Sequence, residues 1–162
     1  MKEFYKKSNI KTGTVVSLNI SKKKGVSKKP LNSCIIDSFG VKDDAHSGKW
    51  HRQVSLLSQE SINKVREKGF NVNGGSFAEN ITTVGINLLE IPVGSRLKIG
   101  DDVILEVSQI GKICPRPCSI YYKIGDCIMP NEGIFAKVIR EGKIKVGDKI
   151  IVEGKTESTT PA

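Results

Sequence analysis

Short apolar runs rich in β-branched residues recur along the chain, and glycine, proline and polar residues separate them. Such runs of four to eight residues predict strands. Because about seven or eight of these runs do not alternate regularly with helical segments, a βαβ sheet is disfavoured. The pattern favours a mainly β fold, a small β-barrel with two or three peripheral short helices. The predicted strands include 14–20, 31–37, 53–57, 78–83, 95–99 and 103–110.

Two segments carry the signals of short helices. Ser58 is a preferred N-cap residue, and Gly69 stands where a helix that begins there would end. A second helix is predicted over 133–140, because Ile134 and Val138 are four residues apart and would share one face. Both helices are short enough to lie on the outside of a barrel.

Basic charge is concentrated at one end of the chain. The 162 residues carry a formal net charge of +9, and residues 1–30, with nine lysines and one glutamate, supply +8 of it. We therefore predict a basic N-terminal arm over 1–11, a barrel domain over 12–153 and a disordered tail over 154–162. The lysine run 22–24 is assigned to a solvated loop, with a phosphate or nucleic-acid contact as the alternative.

Composition argues against several kinds of partner. No apolar stretch approaches the ~18 residues of a membrane helix, and the first residues lack the apolar run of a secretory signal. We therefore expect a cytoplasmic protein with no membrane partner and no disulfides among its four cysteines. Aromatic residues make up 6% and are not interleaved with the lysines, so base stacking and nucleic-acid binding are not expected.

One polar loop holds both histidines of the chain. His46 and His51 are five residues apart, with Asp44 before the first and Arg52 after the second. Loops that carry such side chains on a rigid scaffold are frequent binding and catalytic sites. A surface loop whose side chains bond to its own backbone explains the same residues equally well.

The cysteines suggest a second candidate site. Cys114 and Cys118 enclose Arg116, which has a proline on each side, and Cys127 follows nine residues later. A nearby cation favours the thiolate, which is the nucleophile and metal ligand. A soft-metal site, a persulfide-carrying site and a set of small buried apolar groups all remain open. Cys34 lies in a predicted strand and is assigned to the core.

Two glycines precede an unusual strand entry. Gly74 and Gly75 allow close backbone approach, and their N–H groups could bind an anion, although a simple turn also explains them. Glu79 and Asn80 follow at the start of a predicted strand, where neither residue type is favoured.

Taken in order, these segments resemble the MOSC family, named for the C-terminal domain of molybdenum cofactor sulfurase. The resemblance covers roughly residues 10–153 and is to its short, stand-alone members. No reductase-type N-terminal extension or electron-transfer domain is recognisable, so autonomous reductase activity is not expected. The matching segments are 13–15, 44–48, 51–57, 75–80, 97–100, 114–118, 133–136 and 146–148.

The resemblance implies a β-barrel that binds the molybdenum cofactor (molybdopterin), a metal held on a pterin dithiolene with a phosphate, or that carries sulfur. Pyridoxal phosphate binding is implied only at the level of the family. The signature cysteine of the family matches Cys118 best, with Cys114 as the other candidate. The implied partners are cofactor-assembly proteins or molybdoenzymes, and a small-molecule substrate is compatible with them.

On this hypothesis Cys118 is the metal ligand or persulfide carrier, and the protein is a sulfur transferase or a component of a molybdenum-dependent oxidoreductase. Two rivals remain: a non-catalytic module that docks a partner or polyanion through its lysine-rich region, and a structural zinc site of Cys114, Cys118, Cys127 and a histidine. The expected cofactor-binding residues are Asp44, His46, His51, Arg52, Glu79, Asn80 and Arg116.

Overall fold

The computed structural model describes residues 11–111 and 128–155, and these two ranges contain eleven strands and two α-helices. The helices are α1 (Gln59–Arg66) and α2 (Met129–Glu132), and a 3₁₀ turn spans Leu88–Glu90. The strands are β1 (Thr12–Ile20), β2 (Lys29–Leu31), β3 (Ser33–Asp37), β4 (Gly40–Val41), β5 (Val54–Ser58), β6 (Ile81–Val84), β7 (Ser95–Ile99), β8 (Val103–Ile110), β9 (Ile134–Arg140), β10 (Gly142–Lys145) and β11 (Lys149–Lys155).

Seven strands close into a barrel, which confirms the predicted fold class. Their order is β7–β8–β9–β5–β6–β1–β11, and β11 pairs with both β1 and β7. The pairings around the ring are antiparallel except between β5 and β6, which α1 connects. Strand β2 extends the sheet beside β1, and β10, β3 and β4 form a separate three-stranded sheet. Closure leaves the ring without exposed strand edges.

The barrel interior is filled by alternating apolar side chains. In β7 and β8 every second residue is buried, including Leu97, Ile99 and Leu105, which are fully enclosed. Each such side chain stabilises the fold by about 1.5–3 kcal/mol relative to exposure. The predicted strands 95–99 and 103–110 coincide with these two elements because the alternation is regular there.

Helix α1 begins where its capping residue predicts. The Ser58 hydroxyl accepts a hydrogen bond from the backbone N–H of Ser61 at 3.0 Å. Ile62 and Val65 share the buried face of the helix and pack against Phe77 in a second apolar cluster outside the barrel. The helix ends at Arg66, and the chain therefore turns back toward β6 over this cluster.

The predicted helix over 133–140 is wrong, because that segment forms strand β9. It lies between β5 and β8 and pairs antiparallel with both. Ile134 and Ala136 face the barrel core, whereas Phe135 faces the second cluster, so three consecutive residues are buried. A strand that is covered on both faces lacks the alternation of apolar and polar residues that identifies strands. The spacing of Ile134 and Val138, four residues apart, is then also compatible with a helix.

The predicted arm over 1–11 and tail over 154–162 fall almost wholly outside the described residues and stay predictions. In the described ranges, no helix is both long and apolar enough to cross a membrane.

Substitution of Lys137 tests the strand assignment of β9. Lys137 is exposed, stands opposite Glu106 of β8 and lies 3.5 Å from its carboxylate. Lys137→Thr and Lys137→Ala both remove this ion pair, so their difference reports the backbone preference. In a strand the threonine variant is the more stable one by up to about 1 kcal/mol. Urea unfolding measures this difference, and a more stable alanine variant would indicate a helix.

Candidate functional site

Two loops pack together to form a polar surface at one end of β1. The backbone N–H of Ser21 donates to Asp44 Oδ1 at 3.0 Å, and the N–H of Ala45 donates to the Ser21 carbonyl at 2.8 Å. The Trp50 indole N–H donates to the His46 carbonyl at 2.8 Å. The lysine-rich loop after β1 therefore holds the histidine loop, and we call this region the loop surface (residues 21–28 and 43–52).

A buried ion pair lies beneath the loop surface. Lys28 Nζ is 2.7 Å from Asp44 Oδ1, and both side chains are fully buried. The same ammonium lies 3.0 Å from His46 Nδ1, while the backbone N–H of His46 donates to Asp44 Oδ2 at 3.0 Å. Burial alone would raise the pKa of Asp44, but the hydrogen bonds from Lys28, His46 and Ser21 and the charge of Lys28 outweigh it and lower the pKa.

Arg52 is held by aromatic rings. Its guanidinium carbon lies 4.7 Å from the centre of the Trp50 ring and 5.6 Å from that of Phe135. Lys24 Nζ lies 5.3 Å from the centre of the Trp50 ring. Within residues 11–111 and 128–155, Arg52 Nε is buried without a hydrogen-bond partner and no carboxylate pairs with the side chain. A guanidinium in this state can bind an anion.

His51 connects the loop surface to the end of β8. Its Nε2 lies 2.6 Å from Gln109 Oε1, and the Ser108 hydroxyl donates to its carbonyl oxygen. The Gln109 side-chain amide in turn donates to the carbonyl of Gly111, the last residue described before the gap. The Gly111 N–H donates to the Gly133 carbonyl at 2.7 Å. His51 is therefore linked through Gln109 and Gly111 to Gly133, the residue before β9.

The predicted cysteine site falls in that gap. Cys114, Arg116, Cys118 and Cys127 all lie outside the described residues, and their roles stay predictions. Cys34 is described: it is half-buried against the barrel core, and burial and the Asp44 charge raise the pKa of its thiol to about 11. A thiol with this pKa stays protonated at neutral pH, which fits its assignment to the core.

Glu79 and Asn80 lie below the surface. Glu79 is fully buried, and its Oε2 accepts hydrogen bonds from the Gly75 N–H at 2.8 Å and the Thr82 hydroxyl at 2.7 Å. Desolvation nevertheless raises the pKa of Glu79. The Gly75 N–H of the glycine turn is therefore bonded to the side-chain carboxyl group of Glu79, within this chain.

Asn80 joins three strands beside this turn. Its Oδ1 accepts from the backbone N–H of Ser55 at 3.0 Å, and its Nδ2 donates to the Asn19 carbonyl at 3.2 Å. The Gly75 carbonyl accepts from the backbone N–H of Lys28 at 2.7 Å. The turn that Glu79 and Asn80 hold therefore positions Lys28 from below.

The structure places Asp44, His46, His51 and Arg52 in or beneath the loop surface, together with Lys28, which the sequence analysis did not identify. The neighbouring lysines of the chain, Lys22 to Lys24 and Lys29, are all exposed. The burial of Lys28 depends on Asp44, sixteen residues away, and on Gly75, so no local pattern marks it. The described ranges contain no group of three or more histidine, cysteine or acidic side chains able to hold a metal ion.

The structure thus defines a small closed β-barrel domain with a cationic loop surface beside one end of β8. The chain belongs to the MOSC domain family, whose model matches residues 43–151. That family is associated with the molybdenum cofactor. The resemblance noted from sequence motifs is confirmed.

Solved structures share the fold at low sequence identity. The YuaD protein of Bacillus subtilis superposes with a TM-score of 0.70 at 21% identity, over 89% of this chain and 97% of that one. YiiM of Geobacillus stearothermophilus gives 0.67 at 20% identity, over 86% and 74%. YiiM of Escherichia coli gives 0.65 at 16% identity, over 88% and 70%. No curated protein matches the chain in sequence.

The glycine turn supports a stability prediction with a matched control. Gly75 has φ +89°, and a Cβ there would lie 2.4 Å from the Lys28 carbonyl oxygen. Gly69 has φ +99°, but a Cβ there would meet nothing within 4 Å. Both alanine variants adopt a strained left-handed backbone, so we expect Gly75→Ala to lose about 1–3 kcal/mol more than Gly69→Ala through the clash. Equal denaturant midpoints would contradict the close approach.

Asp44→Asn tests the buried ion pair. The variant leaves Lys28 buried without a counter-charge and should lose about 3–5 kcal/mol near neutral pH. Because the pKa of Asp44 is lowered on folding, its contribution is present above the unfolded pKa of about 3.9 and is lost as pH falls through the folded value. The stability gap to the parent protein should therefore narrow below about pH 4.

Urea unfolding at neutral and acid pH measures that gap. Asp43→Asn, at the exposed neighbouring position, is the control and should change stability little at either pH. A gap that stays constant with pH would show that the Asp44 carboxylate is not the group responsible.

Proposed function

We propose that this chain binds the molybdenum cofactor at the loop surface, as a cofactor-binding or sulfur-carrier protein. The observation that carries the proposal is Arg52, whose guanidinium is held by Trp50 and Phe135 and whose buried Nε lacks a partner in the described ranges. Burying a charged donor without an acceptor is costly, so such a group is expected where a ligand supplies the acceptor.

The donor set suits a ligand that carries a phosphate group, as the cofactor does. The terminal phosphate of the cofactor would pair with Arg52, because a planar guanidinium matches phosphate oxygens bidentately. His46 would donate to a further oxygen atom of the bound group, and His51, whose Nε2–H is given to Gln109 Oε1, would line the site beside it. The loop surface also carries an open depression of about 500 Å³ lined by Lys22, Asp43, Asp44 and Ala45. When bound, the cofactor would supply a metal centre for oxygen-atom or sulfur chemistry.

The proposal assigns the metal-ligand or persulfide role to Cys118, with Arg116 stabilising the thiolate. One observation supports a cysteine other than Cys34 in this role. Cys34, the cysteine that the structure describes, has a raised pKa and remains a thiol.

In this proposal the buried members of the predicted site support the surface and do not touch the cofactor. Asp44 acts through Lys28 and the backbone of His46. Glu79 and Asn80 hold the turn that anchors Lys28. The proposed partners are cofactor-assembly proteins or molybdoenzymes, which would deliver or receive the cofactor or its sulfur.

Cofactor retention tests the proposal. The full chain is expressed in cells that make molybdenum cofactor, and purified protein is analysed for molybdenum, for released pterin and for intact mass. We expect bound pterin in the parent and a loss of roughly tenfold or more in Arg52→Gln, because a charge-assisted hydrogen bond contributes about 1.5–3 kcal/mol. Arg140→Gln, at an exposed arginine of β9, should retain the cofactor.

Cysteine variants separate the possible roles of the thiol. Cys118→Ser should lose molybdenum while Cys114→Ser keeps it, and a mass gain of one sulfur without pterin would indicate a persulfide carrier instead. A parent protein with neither molybdenum, pterin nor added sulfur would refute the proposal. Salt-sensitive binding of a polyanion that needs the lysine run 22–24 and not Arg52 would favour the docking module.

A further inference from the structure

We propose that Lys28 is a positioning residue that fixes His46 as a hydrogen-bond donor through Nε2. The inference arises from the buried pair of Lys28 and Asp44 and the partly exposed His46, because one ammonium touches both a carboxylate and an imidazole nitrogen.

The chemistry of the ammonium determines the tautomer of the imidazole. Lys28 Nζ lies 2.7 Å from Asp44 Oδ1 and 3.0 Å from His46 Nδ1. An ammonium has donors only, so Nδ1 must be the acceptor. A neutral imidazole carries one ring proton, and that proton is therefore on Nε2. A doubly protonated ring would place its Nδ1–H against the ammonium of Lys28. The doubly protonated form is therefore excluded while Lys28 is charged.

Lys28 is charged because the buried carboxylate of Asp44 needs a counter-charge. A buried carboxylate without a cation is strongly destabilised, whereas a paired one is tolerated. Asp44 Oδ2 lies 3.8 Å from His46 Nδ1, which is too far for a hydrogen bond, so the carboxylate does not compete for that nitrogen. The Asp44 charge also helps to raise the pKa of Cys34 to about 11, so this thiol is neutral at physiological pH.

The backbone holds this geometry at several points. The Lys28 N–H donates to the Gly75 carbonyl at 2.7 Å. The His46 N–H donates to Asp44 Oδ2, and its carbonyl accepts from the Trp50 indole at 2.8 Å. The imidazole is therefore fixed both by its own Nδ1 contact and by the chain on which it stands.

This tautomer defines which ligand atoms His46 can meet. Its Nδ1 is occupied by Lys28 and closed to a metal ion, and its Nε2–H is a donor suited to an acceptor oxygen of a phosphate or oxo group. The consequence rests on the proposed function, in which such a group binds at the loop surface. It argues against His46 as a ligand of a structural zinc ion.

Nuclear magnetic resonance of the ring nitrogens tests the tautomer directly. The full ¹⁵N-labelled chain without cofactor has two histidines, and His51→Gln assigns their signals. We expect His46 to show a protonated Nε2 and an unprotonated Nδ1. Lys28→Met should give a mixture of tautomers, whereas Lys29→Met, at the exposed neighbouring position, should leave the His46 signals unchanged. A proton on Nδ1 in the parent protein overturns the inference even if Lys28→Met fails to fold.

Cofactor retention then tests the consequence. Lys28→Met should retain roughly tenfold less cofactor than Lys29→Met, in line with loss of one oriented donor to a charged group. Equal retention with an altered tautomer would refute the role of Lys28 in binding. The tautomer is measured without cofactor, so a proton found on Nδ1 would refute this inference and not the proposed function. A parent protein that binds no cofactor would refute the proposed function and not the assigned tautomer.

Discussion

The buried ion pair between Lys28 and Asp44 is the interaction on which the loop surface depends. Removing two charges from water costs several kcal/mol for each ion, and their attraction offsets this cost only with good geometry and further hydrogen bonds. Here the carboxylate also accepts backbone N–H groups from Ser21 and His46. The pair therefore joins the two loops of the loop surface and restricts them to one arrangement.

The barrel supplies the rigid base for this arrangement. Strands β1, β5 and β6 meet where Asn80 bonds to Ser55 and Asn19. The neighbouring glycine turn closes on the Glu79 carboxylate and presents its carbonyl to Lys28. Polar groups buried in such a connected network are satisfied by one another, so a change at any of them would shift the position of the lysine and the histidine above it.

The sequence was informative where local chemistry decides the structure. Strands β7 and β8 were predicted at their observed bounds because one face of each is buried and the other exposed, and Ser58 marked the start of α1. Strand β9 was mistaken for a helix because both of its faces are covered. The histidine loop was identified as a candidate from its residue types. The burial of Lys28 depends on Asp44 and Gly75, which are distant in sequence, so the residues next to Lys28 do not predict it.

The pairing of β1 with β11 has a kinetic consequence. Thr12 stands opposite Ile151, so the contact that completes the ring joins segments separated by most of the polypeptide. Contacts of such long sequence separation must overcome a large loss of chain entropy before they stabilise anything, and they slow folding. During synthesis on the ribosome, the edges of β1 and β7 stay unpaired until β11 emerges. In that interval the unpaired edges can associate with other chains.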